Sequence, residues 1–156
     1  MTTATAPEPA VPVSTPDSDF VQPQDAGDVL SADIVEANRV ARERGWIRDA
    51  FFPFDASTLD GDAQEALRQS ATWLREHPEF RIRIEGHCDE RGTEQYNLAL
   101  GDRRADTAAS YLATLGVDRS RISIVSYGEQ RPFEEGSDEA AWAQNRRAHL
   151  LLAGRR

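Results

Sequence analysis

The stretch "FRIRIEGHCDERGTEQYNLALGDRRAD", Phe80 to Asp106, carries a strand, a loop and a helix in immediate succession. Its first part alternates strictly, with Phe80, Ile82 and Ile84 on one face and Arg81, Arg83 and Glu85 on the other. That period of two predicts a half-buried strand. From Glu94 the period changes. Leu98, Gly101, Ala105, Ala108, Leu112 and Leu115 follow three-four spacing, which predicts a helix ending at Gly116. Thr93 is a natural N-cap, and Gly92 permits a left-handed turn just before it.

Working outward, "WIRDAFFPF" (46–54) reads as a strand, with Pro53 near its end where a missing donor is tolerable. "LDGDAQEALRQSATWLREHP" (59–78) reads as a helix capped by Asp60 and stopped by Pro78, with Ala63, Leu67, Ser70 and Leu74 on one face. "RISIVSY" (121–127) and "RRAHLLL" (146–152) read as strands, and "SDEAAWAQN" (137–145) as a short capped helix between them. The order β-α-β-α-β-α-β predicts an α/β two-layer sandwich. Four strands are too few to fix the sheet order from pattern alone. Residues 46–156 are expected to form this domain, and 29–45 a helical lead-in with Ser31 as N-cap, Leu30 and Val35 as a hydrophobic staple, and Gly45 as the stop. Residues 1–28 hold five prolines, five acidic residues and no basic ones, which reads as a disordered tether.

Composition bounds the function. The chain has 156 residues, 39% hydrophobic and 29% charged, typical of a globular protein. A formal charge of −9 argues against a nucleic-acid partner, because phosphate binding needs a basic surface. All 18 basic residues are Arg, whose planar fork suits carboxylates, although an all-Arg inventory equally fits a genome-wide bias. No run approaches the ~18 apolar residues of a membrane span, and the Met1 end lacks the basic and apolar regions of a signal peptide.

The loop "HCDERGT", His87 to Thr93, is where chemistry would sit, between a strand and a helix N-terminus. A metal is not expected, since His87, Cys88 and Asp89 are adjacent and point apart, and His77 and His149 complete no ligand motif. A thiol nucleophile is not expected either. Cys88 has no base set opposite it, and Asp89 and Glu90 oppose thiolate formation, so it reads as a small packed hydrophobe. Glu94 complements the helix dipole. Asn97, Leu100 and Arg104 share a stripe beside the core seam, while Arg103 points to water. An acid in the loop and an arginine on the helix could read a ligand bearing both an ammonium and a carboxylate. A structural Asp–Arg ion pair is at least as common.

"GHCDERGTEQYNLALGDRRAD", "VSYGEQRP" and "NRRAHL" together resemble the OmpA C-terminal-like domain family, within it the peptidoglycan-associated lipoprotein branch. "FFPFDASTL" resembles that family's first-strand Phe-Asp motif. The resemblance spans about residues 47–153. It implies a mixed four-stranded sheet with helices on one face, and a non-enzymatic domain that needs no cofactor or metal. It implies binding of the peptidoglycan stem peptide through meso-diaminopimelate, with Asp89 facing the ammonium and Arg104 gripping the carboxylate. Phe54, Asp55, Thr93, Asn97 and Leu100 would line the pocket, with His87 and Arg91 at its edge. Also implied are a periplasmic, outer-membrane-associated location and a TolB-like partner. Lipoproteins of this branch begin, when mature, at a lipid-modified cysteine, and no cysteine precedes Cys88 here. The alternative is the wall-anchoring module of another envelope assembly, such as a porin, a flagellar stator or a secretion component.

Overall fold

A computed structural model describes residues 32–155. The expected tether, Leu30 and Ser31 lie outside the described residues. The lead-in helix α1 (Ala32–Glu43) ends before Gly45, whose φ of 72° turns the chain. It packs on the domain through Ile34 and Ala41. Asn38 also reaches the last strand, donating to Leu152 O and accepting from Leu152 N. Val35, expected to form a staple, is exposed.

Next come β1 (Ala50–Phe51), α2 (Gly61–Glu76), β2 (Phe80–His87), α3 (Glu94–Thr114), β3 (Ile122–Gly128), α4 (Glu139–Asn145) and β4 (Arg147–Arg155). Asp60, Thr93 and Asp138 cap α2, α3 and α4, each accepting from a backbone N–H three residues on. The sheet order is β1-β4-β2-β3, with β2 parallel to β3 and β4 antiparallel to both β1 and β2. The fold is therefore a mixed four-stranded sheet, with α1, α2 and α3 contributing Ile34, Leu67, Leu74 and Leu112 to one core beneath Ile82, Ile84, Ile124, Leu150 and Leu152.

Two expectations are corrected. The first strand is only Ala50–Phe51, though Phe52 N still donates to Arg146 O at 2.9 Å just beyond it. Arg48 N donates to the Ser70 hydroxyl, and Pro53 has no N–H to offer. The second strand is not half-buried, since Arg83, Glu85 and His87 are buried too. They pair among themselves, Glu85 accepting from Arg83 and contacting His87 Nε2 at 3.1 Å. Phe133 and the His149 ring close over them, with ring centroids 4.8 Å from His87 to Phe133 and 4.9 Å from Phe133 to His149. A layer of side chains does on this face what helices do on the other.

Helix α3 lies directly on β2 where two glycines meet. A Cβ on Gly86 would sit 1.7 Å from Gly101 O, so only hydrogen permits the approach. That contact sets the strand end and the helix start at the walls of one cleft.

Candidate functional site

A cleft of about 230 Å³ opens at the C-terminal end of β2, lined by Phe54, Asp55, Cys88, Asp89, Arg91, Gly92, Tyr96, Asn97, Leu100 and Arg104. A larger hollow of about 620 Å³ beside β1, lined among others by Arg48, Phe51, Asp60 and Glu65, shares no residue with it. The cleft is the one where buried charged groups of the loop and α3 converge.

Arg104 is fully buried. Its guanidinium donates to three backbone carbonyls: Nε to Ala56 O at 2.8 Å, Nη1 to His87 O at 2.9 Å and Nη2 to Pro53 O at 3.0 Å. It thus ties the segment after β1 to the end of β2. Burial lowers its pKa from the ordinary arginine value, with the Cys88 and Asp89 sites acting the other way. An arginine keeps its proton there nonetheless. It does not pair with Asp89.

Asp89 pairs instead with Arg91 and Arg146. Oδ1 accepts from Arg91 N at 3.0 Å and Arg91 Nε at 3.2 Å, and Oδ2 accepts from Arg91 Nη2 at 2.8 Å and Arg146 Nη1 at 3.5 Å. Burial alone would raise its pKa, but the hydrogen bonds from Arg91 outweigh that and hold it below the usual carboxylate range. It is a carboxylate at neutral pH.

Asp55 stands on the opposite rim in the left-handed region, φ 57°, and accepts from the Tyr96 hydroxyl. Aspartate tolerates that conformation better than most side chains. Asn97 braces the loop, its Nδ2 donating to Arg91 O at 3.0 Å. Leu100 supplies an apolar floor. Cys88 is buried with its thiol 3.2 Å from Asn97 O, and burial pushes its pKa up to about 11, which leaves no thiolate at neutral pH.

Of the residues singled out from sequence, Asp89, Arg104, Phe54, Asp55, Asn97, Leu100 and Arg91 come together here. Thr93 and His87 do not. Thr93 caps α3, and the His87 side chain belongs to the buried layer on the far face of the sheet, only its carbonyl reaching Arg104. Sequence reasoning missed Tyr96, which shares a helix face with Leu100 at i, i+4 spacing. It also missed Arg146 and Trp142, which reach the loop from α4 and its end. "RRAHLLL" includes Arg146 but reads as a strand, and its alternation assigns that arginine no role at the loop. Among the described residues there is no group of three or more side chains suited to a metal ion. No described helix is long and apolar enough to cross a membrane.

The family model described as "OmpA family" matches residues 51–146, more than half of the chain. The chain belongs to the OmpA family. This OmpA-family chain is 47% identical over 104 residues to the peptidoglycan-associated lipoprotein of Brucella melitensis, covering 67% of the chain and 62% of that protein. It thus matches less than two thirds of that relative's length. The crystal structure of the peptidoglycan-associated lipoprotein from Burkholderia pseudomallei superposes with a TM-score of 0.64 at 45% identity, covering 67% of this chain and 88% of that one. The cell wall anchor of the T6SS from Pseudomonas aeruginosa shares the fold, with a TM-score of 0.59 at 18% identity over 78% of this chain and 96% of that one.

Proposed function

We propose that this domain binds peptidoglycan non-covalently, seating the diaminopimelate end of a stem peptide in the cleft, and performs no catalysis. The observation that carries the reading is the meeting of a buried carboxylate, Asp89, and a buried guanidinium, Arg104, at one small cleft with an apolar floor. Diaminopimelate ends in an ammonium and a carboxylate on one carbon. A cleft with one fixed charge of each sign rewards both groups at once, since each makes a charge-assisted hydrogen bond where water is scarce. Phe54 and Tyr96 flank the entrance with aromatic surface, and Asp55 adds a second acceptor at the rim.

Nothing in the cleft supports acid–base or nucleophilic work. Asp89 is held ionised by its arginines, and the Cys88 thiol is buried and protonated. On this reading the protein acts in the periplasm as a tie between the outer membrane and the wall, with a TolB-like protein as a further partner. The names of the relatives at 47% and 45% identity favour this over the anchor of another assembly, where the likeness is one of fold at 18% to 20% identity. Sedimentation with purified peptidoglycan tests it. The domain should pellet with diaminopimelate-type sacculi and far less with lysine-type sacculi. Equal retention on both, or on neither, would contradict the reading.

A further inference from the structure

The carboxylate of Asp89 is already full. A carboxylate offers about four lone-pair sites. Arg91 occupies three of them, through its backbone N, Nε and Nη2, and Arg146 Nη1 approaches the fourth. With those sites taken, an incoming ammonium finds no unoccupied lone pair. It must take the place of a donor already there.

The two arginines differ in how firmly they are held. Arg146 is buried and committed elsewhere, its Nε donating to Phe52 O at 2.9 Å and its Nη2 to Glu139 at 2.9 Å. The Arg91 side chain is 32% exposed and belongs to a loop. Its guanidinium carbon lies 3.9 Å from the ring centroid of Phe54 and 3.9 Å from that of Trp142, so it is clasped between two aromatic faces. Trp142 is in turn fixed by a 3.0 Å hydrogen bond from Nε1 to Glu90. Arg91 therefore has a defined seat over Asp89 and is the more exposed of the two arginines, its side chain at 32% against 9% for Arg146.

We propose that Arg91 is a built-in competitor in this cleft, a cation that any ligand ammonium must displace from Asp89. The inference rests on the peptidoglycan reading above. The displacement weighs on every ammonium ligand alike, so it lowers their affinities by one factor and leaves the ratio between them unchanged. A ligand that also brings a carboxylate to the Arg104 end gains a second ion pair, and that pair alone sets its advantage. Arg91 thus sets a threshold that a lone ammonium meets poorly and a paired ammonium and carboxylate can exceed.

The test is calorimetric titration of a diaminopimelate-type and a lysine-type muropeptide into wild type and Arg91→Ala. Alongside it, the Asp89 carboxyl is titrated by carbon NMR in the ligand-free proteins. In Arg91→Ala, the affinities of both ligands should rise together by about tenfold or more, the ratio between them should hold, and the Asp89 pKa should climb towards the ordinary value. Weaker binding of both ligands would make Arg91 a ligand contact and overturn the inference. So would unchanged affinities, a shifted ratio, or an unmoved Asp89. Wild type that binds neither muropeptide would bring down the peptidoglycan reading and the inference with it. Wild type that binds, with Arg91→Ala binding no more tightly, would bring down the inference alone.

Discussion

Replacing Arg104 by methionine removes the guanidinium while keeping a side chain of comparable length. Three carbonyls lose their donor: His87 O, in fully buried surroundings, and Pro53 O and Ala56 O, partly buried. Leaving a buried acceptor unpaired costs about 1–3 kcal/mol, and the two nearer the surface recover part of their loss from water, about 0.5–1.5 kcal/mol each. Against this, the variant no longer desolvates a charge, which returns some of the penalty. A net loss of about 2–4 kcal/mol is expected. Arg104→Lys should fall between wild type and Arg104→Met, because a point-charge ammonium cannot span three carbonyls fixed around a planar fork. Urea denaturation measures the loss as a lower midpoint at unchanged slope. Amide exchange should speed up at Ala56 and Cys88, which flank the carbonyls released. A loss below ~0.5 kcal/mol for Arg104→Met would refute the argument that this residue ties the cleft walls together.

Three further perturbations probe the frame. Gly86→Ala should abolish or cripple folding, by more than about 3 kcal/mol, since the new methyl meets the backbone oxygen of Gly101 and not a side chain that could swing away; a far-UV melt near wild type would contradict the close approach. Cys88 should resist alkylation by iodoacetamide at pH 8 in the native state and react promptly in urea, given its burial and a thiol pKa near 11; rapid native labelling would show an exposed or activated thiol. His87 should make the domain acid-sensitive. Burial depresses its folded-state pKa below the unfolded value near 6.5, the Glu85 contact opposing. Its contribution is therefore present above that value and lost as pH falls through the folded one. His87→Gln should flatten the stability slope below pH ~6.5, and an unchanged slope would count against it.

Much of the frame was legible because its signals are local. The alternation in Phe80–Glu85, the three-four stripe from Leu98 to Leu112, and the caps Asp60 and Thr93 each depend on neighbours within one or two turns. The insertion of β4 between β1 and β2 was not legible from pattern, because strand order is fixed by contacts between distant segments. The same holds for the burial of Arg83 and Glu85, which a charged alternate face disguised and which Phe133 and His149 complete from afar. In the cleft, a helix wheel placed Asn97, Leu100 and Arg104 together, but not the carbonyls of Pro53, Ala56 and His87 that claim the guanidinium. Nor could spacing reveal that Asp89 pairs with its second neighbour and with Arg146. An acid and an arginine fifteen positions apart suggested a mutual ion pair or a clamp, and only the tertiary partners exclude the first.

The most direct measurement is titration of a diaminopimelate-containing muropeptide into wild type and Asp89→Asn by calorimetry, with thermal melts of both ligand-free proteins. Asparagine keeps the shape of Asp89 but cannot balance the ligand's ammonium in a site with little water. Losing that charge-assisted contact costs ~2–4 kcal/mol, and because Arg91 no longer has to be displaced part of this is returned, so a loss of about tenfold or more in affinity is expected. Asp89→Asn should melt somewhat lower, since Arg146 loses a buried partner, yet remain folded at the temperature of titration. A folded Asp89→Asn protein that binds the muropeptide as tightly as wild type would contradict the account.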